Sequence, residues 1–271
     1  MAVGTSTRNQ YLQAIGVDVW VRRSIPAVSV EPPAERAAPA VATLAGVEPF
    51  AKPVVVPPAV IEPVIIDEPV AADVAARWQA LRTEILSCTK CDLHKTRTQG
   101  VVGVGPQRTD WMVIGEAPGA EEDRRGEPFV GRAGQLLDAM LRAIGLDRGT
   151  NVYIANVLKS RPPNNRDPKP EEVGACLPYL VRQIQLLQPR LMLAVGRIAA
   201  QNLLSTDLSL GRLRGKVHHF GELNTPLIVT YHPAYLLRTP ADKRKAWEDL
   251  KFARSVFRQL TGRVGTDGNL S

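Results

Sequence analysis

Four stretches of this 271-residue chain carry side chains and spacings suited to chemistry. The first is Gly115-Glu116-Ala117-Pro118-Gly119, which follows the apolar run Trp111–Ile114. A short apolar run ending in Gly and Pro reads as a buried strand breaking into a tight loop, and ligands gather beyond the carboxyl ends of such strands. Glu116 thus stands where chemistry is usually done, unless the turn is ordinary and the carboxylate merely solvated. The same loop continues to Pro128-Phe129-Val130-Gly131-Arg132-Ala133-Gly134, where Phe129 is either core or a platform for a flat ligand. The second stretch centres on Asn156, an amide near the end of an apolar strand. A buried amide must be hydrogen-bonded, to backbone or to a ligand, and it offers the donor–acceptor pair that reads a base edge.

Just beyond Asn156, Lys159, Arg161, Arg166 and Lys169 form a basic loop suited to phosphates. The third stretch is Tyr231-His232-Pro233-Ala234-Tyr235-Leu236-Leu237-Arg238. Its histidine is one of four in the chain and directly follows a strand. Leu236 and Leu237, read as exposed on a loop beside Arg238, are candidate wedges for a base stack. The fourth stretch is Cys88-x-x-Cys91, with Cys176 far downstream. Thiolates at that spacing suit zinc or an iron–sulfur cluster, both of which normally take four protein ligands, and the chain has three cysteines.

The elements that must position these residues alternate. Strands are expected at Trp111–Glu116, Val152–Leu158, Leu191–Val195 and Pro226–Tyr231. Helices are expected at Ala72–Leu86, Ala133–Ile144, Glu171–Leu187, Arg197–Leu204 and Asp242–Leu260. This alternation predicts an α/β fold: a three-layer α/β/α arrangement around a mainly parallel four-stranded sheet. The loops after Glu116, Leu158 and Tyr231 then open on one edge of the sheet, where their side chains converge.

Before this compact part, predicted to span 71–262, residues 24–70 form a Pro/Ala/Val-rich linker. Ten of the 22 prolines lie between Ser24 and Ala72. Residues 1–23 contain a short amphipathic segment, Tyr11–Arg23, that is a possible docking element for a repair or replication protein. Residues 263–271 read as a flexible tail, and the whole N-terminal extension as disordered. Net charge is +7, and the stretch from Ser24 to Ala72 carries −4, which leaves +11 on the remainder. A basic folded part favours a polyanionic partner, nucleic acid first among them. No apolar run is long enough for a transmembrane helix, and the polar start, Met1–Gln10, lacks the apolar core of a signal peptide, so the expected compartment is the cytoplasm.

Taken in order, Cys-x-x-Cys, Gly-Glu-Ala-Pro-Gly, Pro-Phe-Val-Gly-Arg-Ala-Gly, Asn-x-x-Lys-x-Arg-Pro-Pro, Cys-x-Pro-Tyr-Leu and His-Pro-Ala-Tyr-Leu-Leu-Arg resemble the family 4, or iron–sulfur, uracil-DNA glycosylases from about Cys88 to Leu260. The resemblance implies a monomeric, monofunctional glycosylase of base excision repair that flips uracil out of DNA and hydrolyses its N-glycosidic bond. Under it, Gly115, Glu116 and Ala117 line the uracil, with Glu116 in the motif that positions the attacking water. Phe129 stacks on the base, Asn156 bonds its pairing edge, Glu122 crowds its C5 side, and His232 bonds O2. It also implies a 4Fe–4S cluster held by Cys88, Cys91 and Cys176. Ser160 stands where the family has the remaining cysteine. A Ser- or water-ligated cluster, a three-iron cluster and no cluster all remain open at this point. The alternative function is a DNA-binding or partner-docking protein of the same fold with weakened catalysis.

Overall fold

The computed structural model describes residues 68–262. The docking segment 1–23, the tail 263–271 and the linker up to residue 67 lie outside the described residues. Helix α1 (Glu68–Leu86) begins within the last three residues read as linker, with Pro69 in its first turn, where a missing N–H costs nothing. After it come β1 (Trp111–Gly115), α2 (Ala120–Arg125), α3 (Arg132–Arg142), β2 (Val152–Asn156), α4 (Pro170–Leu187), β3 (Leu191–Val195) and α5 (Arg197–Leu204). The chain closes with α6 (Leu210–Leu213), β4 (His218–Phe220), β5 (Thr225–Thr230), α7 (Pro233–Arg238) and α8 (Lys243–Thr261).

The sheet order is β2-β1-β3-β5-β4. The four expected strands pair in parallel, and β4 adds a short antiparallel edge that three residues with two histidines did not announce. Strands buried on both faces read as unbroken apolar runs, as β1 and β3 do. Alternate residues feed two cores. Met112, Ile114, Ala155, Met192 and Ala194 face Trp78 of α1, Leu180 and Ile184 of α4, and Ala199 of α5. Val113, Ile154, Leu193, Val195 and Ile228 face Leu137 and Leu141 of α3 and Leu250 and Ala253 of α8. This is the expected three-layer architecture. No described helix is long and apolar enough to cross a membrane.

Because β2 lies to one side of β1 and β3 to the other, the connections leaving their carboxyl ends diverge and open a crevice there. The loop from β1 to α3 forms one wall, and its shape depends on Gly134. A Cβ there would lie 1.7 Å from the carbonyl oxygen of Phe129. Gly134→Ala is therefore expected to destabilise the fold by about 3 kcal/mol, the upper range for overpacking. That loss lowers the melting temperature by roughly 6–12 °C in a domain of this size. A calorimetric or circular-dichroism melt checks it, and an unchanged midpoint would mean that the wall repacks freely.

Candidate active site

The site is assembled where β1 and β2 end side by side. Gly115 and Asn156 are register partners, and Glu116 is the first residue past β1. A Cβ on Gly115 would sit 2.4 Å from Asn156 Oδ1 and 2.5 Å from Phe129 Cζ. The amide and the ring thus converge on one point, and only glycine leaves space between them. Asn156 is 2 % exposed, and its Oδ1 is buried without a hydrogen-bond partner. Buried polar atoms are nearly always satisfied, so the unpaired Oδ1 marks Asn156 as a candidate ligand contact.

Phe129 is buried and held at φ 55°, a left-handed conformation that bulky residues rarely adopt. Arg148, from the loop after α3, fixes it there. Its Nη1 and Nη2 donate to the carbonyls of Pro128 (3.1 Å) and Phe129 (2.7 Å), and its Nε donates to Asp138 Oδ1 (2.8 Å). Glu122 braces the same wall, accepting from the backbone N–H groups of Gly119, Val130 and Gly131 at 2.9–3.1 Å.

His232 comes from the opposite side, as the N-cap of α7. Its ring lies 5.5 Å from that of Phe129. Gly196, at the end of β3, leaves room for it, since a Cβ there would come within 2.9 Å of His232 Cβ. Nδ1 accepts from the Ala234 N–H at 3.1 Å, so the neutral ring carries its proton on Nε2. Burial pushes the His232 pKa down to about 4, with Arg238 adding to the shift and Glu122 opposing it. Burial acts on Glu116 in the other sense, raising it to about 7, with Asp167 contributing and Arg197 opposing. Desolvation disfavours the charged form of each. Asp167 and Arg197 themselves pair at 2.9 Å.

Glu116, Phe129, Asn156 and His232, with Gly115, are thus brought together, and Ala117 and Glu122 belong to the same wall. The residues expected to touch DNA are not all available for it. Lys159 is 1 % exposed, and its ammonium turns inward to Asn156 O (2.6 Å) and Gln183 Oε1 (2.7 Å), so it contacts no phosphate. Leu236 is 1 % exposed: the stretch read as a loop is helix α7, started by Pro233, and helical spacing turns Leu236 inward while leaving Leu237 and Arg238 exposed. Arg166 is engaged bidentately by Glu172, at 2.5 and 2.9 Å. Arg161 is bonded to Asn165 Oδ1 and remains half-exposed at the rim. Sequence reasoning missed Arg148, Gln183 and Gly196. Nothing in their sequence neighbourhoods marks them, since each acts by a contact across the fold.

A second cluster lies behind this pocket. Burial raises the pKa of Cys176, in α4, while its sulfur receives the backbone N–H of Lys159, which opposes the shift. Ser160 is buried, and its Oγ accepts from Arg97 Nη1 at 2.8 Å. Arg97 Nη2 also donates to the carbonyls of Leu86 and Cys88. Among the described residues, no group of three His, Cys, Asp or Glu side chains is arranged to hold a single metal ion. The donor chemistry suits an iron–sulfur cluster at three corners. Burial pushes the pKa of Lys159, whose amino group bonds to neutral oxygens, down to about 7, with Cys176 opposing the shift. The fourth corner offers a hydroxyl, a harder and poorer iron ligand.

Residues 102–251 match the model of the uracil DNA glycosylase superfamily. A type-4 uracil-DNA glycosylase of Archaeoglobus fulgidus is 49 % identical over 174 residues, covering 62 % of this chain and 87 % of the relative. One from Pyrobaculum aerophilum is 47 % identical over 178 residues, covering 64 % and 90 %, and one from Thermotoga maritima is 42 % identical over 179 residues, covering 65 % and 92 %. With the pocket, the sheet and these relatives in agreement, this chain belongs to the uracil DNA glycosylase superfamily and, within it, to the type-4 uracil-DNA glycosylases.

Proposed function

We propose that this protein excises uracil from DNA by hydrolysing the N-glycosidic bond and leaving an abasic site. The observation that carries the reading is the unpaired, buried Oδ1 of Asn156 beside the Phe129 ring, with no side chain on Gly115 between them. A base inside a duplex is out of reach, so uracil must leave the stack and enter the pocket, at a cost of a few kcal/mol. Stacking on Phe129 and bonding to Asn156 offset that cost. The amide oxygen accepts from uracil N3–H while the amide nitrogen donates to O4. Cytosine reverses both partners at that edge and leaves the amide facing like groups, which is how a fixed polar group discriminates strongly.

As the glycosidic bond breaks, negative charge develops on uracil O2. His232, neutral and protonated on Nε2, donates there without a proton having to be lost or gained first. Such a preorganised donor contributes a factor of about a hundred to a thousand. Glu116, on the sugar side, holds the attacking water in line with the anomeric carbon and takes up its proton. Glu122 shapes the wall on the C5 side of the base. Arg161 and Arg238 approach phosphates at the rim, and Leu237 is the exposed apolar side chain available to fill the gap left by the flipped base.

Cys88, Cys91 and Cys176 would hold an iron–sulfur cluster through three thiolates, with Ser160 at the remaining position. When bound, the group would supply a rigid cross-link between the turn after α1, the loop after β2 and helix α4. The excision steps are carried by the pocket residues alone.

Incubation with a uracil-containing single-stranded oligonucleotide, followed by alkali, tests the function: wild-type protein is expected to yield cleaved strand. His232→Ala is expected to slow release by about a hundredfold or more, and Asn156→Asp to admit cytosine. Normal uracil excision with unchanged selectivity in both variants would overturn the site.

The pH dependence follows from Glu116. Its folded pKa is raised, so the working carboxylate is present above about pH 7 and lost below it. Excision under single-turnover conditions is therefore expected to rise through neutrality and level off on the alkaline side. Glu116→Gln should flatten that limb while lowering the plateau. A rise that persists unchanged in the Gln variant would assign the titration elsewhere.

For the cluster, iron and acid-labile sulfide are measured after anaerobic purification. Both are expected in the wild-type protein and at higher content in Ser160→Cys, which should also lose iron more slowly in air. Iron-free protein in both cases would remove the cluster from this chain.

A further inference from the structure

β2 is an edge strand, and its last residue reads the base. Parallel pairing sends the N–H of Val157 to Gly115 O (2.9 Å); past the strand end the alternation lapses and the N–H of Leu158 turns to Glu116 O (3.0 Å). By alternation along the strand, the backbone groups of Ile154 and Asn156 face away from β1, toward the side where no strand follows. Ile154 is satisfied there by Val104, with bonds of 2.8 and 2.9 Å in the two directions. Asn156 has no such partner, and an unpaired carbonyl buried at a sheet edge is costly.

Lys159 fills the gap. Its own carbonyl accepts from Val101 N at 2.8 Å, its stem is buried, and its ammonium curls back three residues to donate to Asn156 O at 2.6 Å. The same ammonium donates to Gln183 Oε1 of α4 at 2.7 Å. Gln183, fully buried, sends its amide protons to Val102 O (2.8 Å) and Tyr153 Oη (3.3 Å). The strand end that carries the reading amide is thereby tied to the edge segment before it and to the helix behind it.

We propose that Lys159 is a positioning residue for base recognition: its ammonium replaces the absent neighbouring strand and fixes the Asn156 peptide, and with it the side-chain amide, at the floor of the pocket. The proposal rests on the uracil-reading role of Asn156. Misplacement of a recognition group by about 1 Å is enough to cost a hundredfold in rate. Phosphate contacts at the rim are unaffected, so the loss falls on kcat and leaves KM for DNA nearly unchanged.

The test is a double-mutant cycle on the full chain, read by uracil release from a single-stranded oligonucleotide. Wild-type release establishes the underlying function first, and its absence would sink that reading independently of Lys159. Lys159→Met is expected to lower kcat by about tenfold to a hundredfold, the range found for supporting hydrogen bonds behind a ligand-holding group. In an Asn156→Ala background the same change should cost less than about threefold, because residues acting as one unit are not additive. Lys159→Gln, which keeps a donor on a shorter stem, should recover part of the loss. If the Met variant does not fold, the Gln variant carries the cycle. An equal loss in both backgrounds, or none in the wild-type background, would overturn the proposal and leave Lys159 a packing residue.

Discussion

The pocket depends on one steric constraint: two parallel strands must end side by side with no side chain between the amide of one and the aromatic ring that lies across the other. Gly115 meets it, because a single methyl group would collide with both Asn156 and Phe129. Everything else in the β1–α3 loop maintains that arrangement. Phe129 keeps its left-handed backbone because Arg148 holds two successive carbonyls and Gly134 leaves its own carbonyl room. Glu122 joins the two ends of the loop through three backbone N–H groups. Strain of this sort, on the order of 1–3 kcal/mol per residue, persists only where the surroundings over-determine it.

The same enclosure shifts the protonation of two side chains in the pocket. Burial raises an acid and lowers a base, so Glu116 and His232 are both pushed toward neutrality. The consequences differ. A neutral histidine is the form that the proposed donation to uracil O2 uses, and burial favours it. A neutral carboxyl is the idle form. Arg197 pulls Glu116 back toward ionisation, and Asp167, paired with Arg197, opposes it. The balance leaves the Glu116 pKa at about 7.

Much of this was legible in the sequence, and the reasons for success and failure are physical. Strands β1 and β3 are short apolar runs with Gly or Pro nearby, and Leu191–Val195 and Arg197–Leu204 fall where periodicity places them. Glu116, Asn156 and His232 stand out because each is polar where a parallel strand ends. What failed was the direction of side chains in stretches without a clear period. A loop reading of Tyr231–Arg238 exposes Leu236, whereas proline at a first helical turn starts a helix and turns Leu236 inward. Lys159 was read as a phosphate contact because it lies among arginines. Its long stem instead lets it fold back, and the need of an edge-strand carbonyl for a donor decides its direction. Arg148 left no trace, since the two carbonyls it holds lie 20 and 19 residues away along the chain.

Lys159 also connects the two halves of the site. Its ammonium supports the reading amide, its backbone N–H reaches Cys176, and the next residue is Ser160, held by Arg97. Arg97 in turn closes the end of α1 and the turn bearing Cys88 through backbone carbonyls. The region behind the pocket is therefore cross-linked by hydrogen bonds from the side chains of Lys159 and Arg97. At this corner Ser160 is held by Arg97 through a hydrogen bond of 2.8 Å. Substitution at this corner can be tolerated because the carboxyl end of β2 is positioned from both sides: by β1 through the backbone, and by Lys159 through the edge.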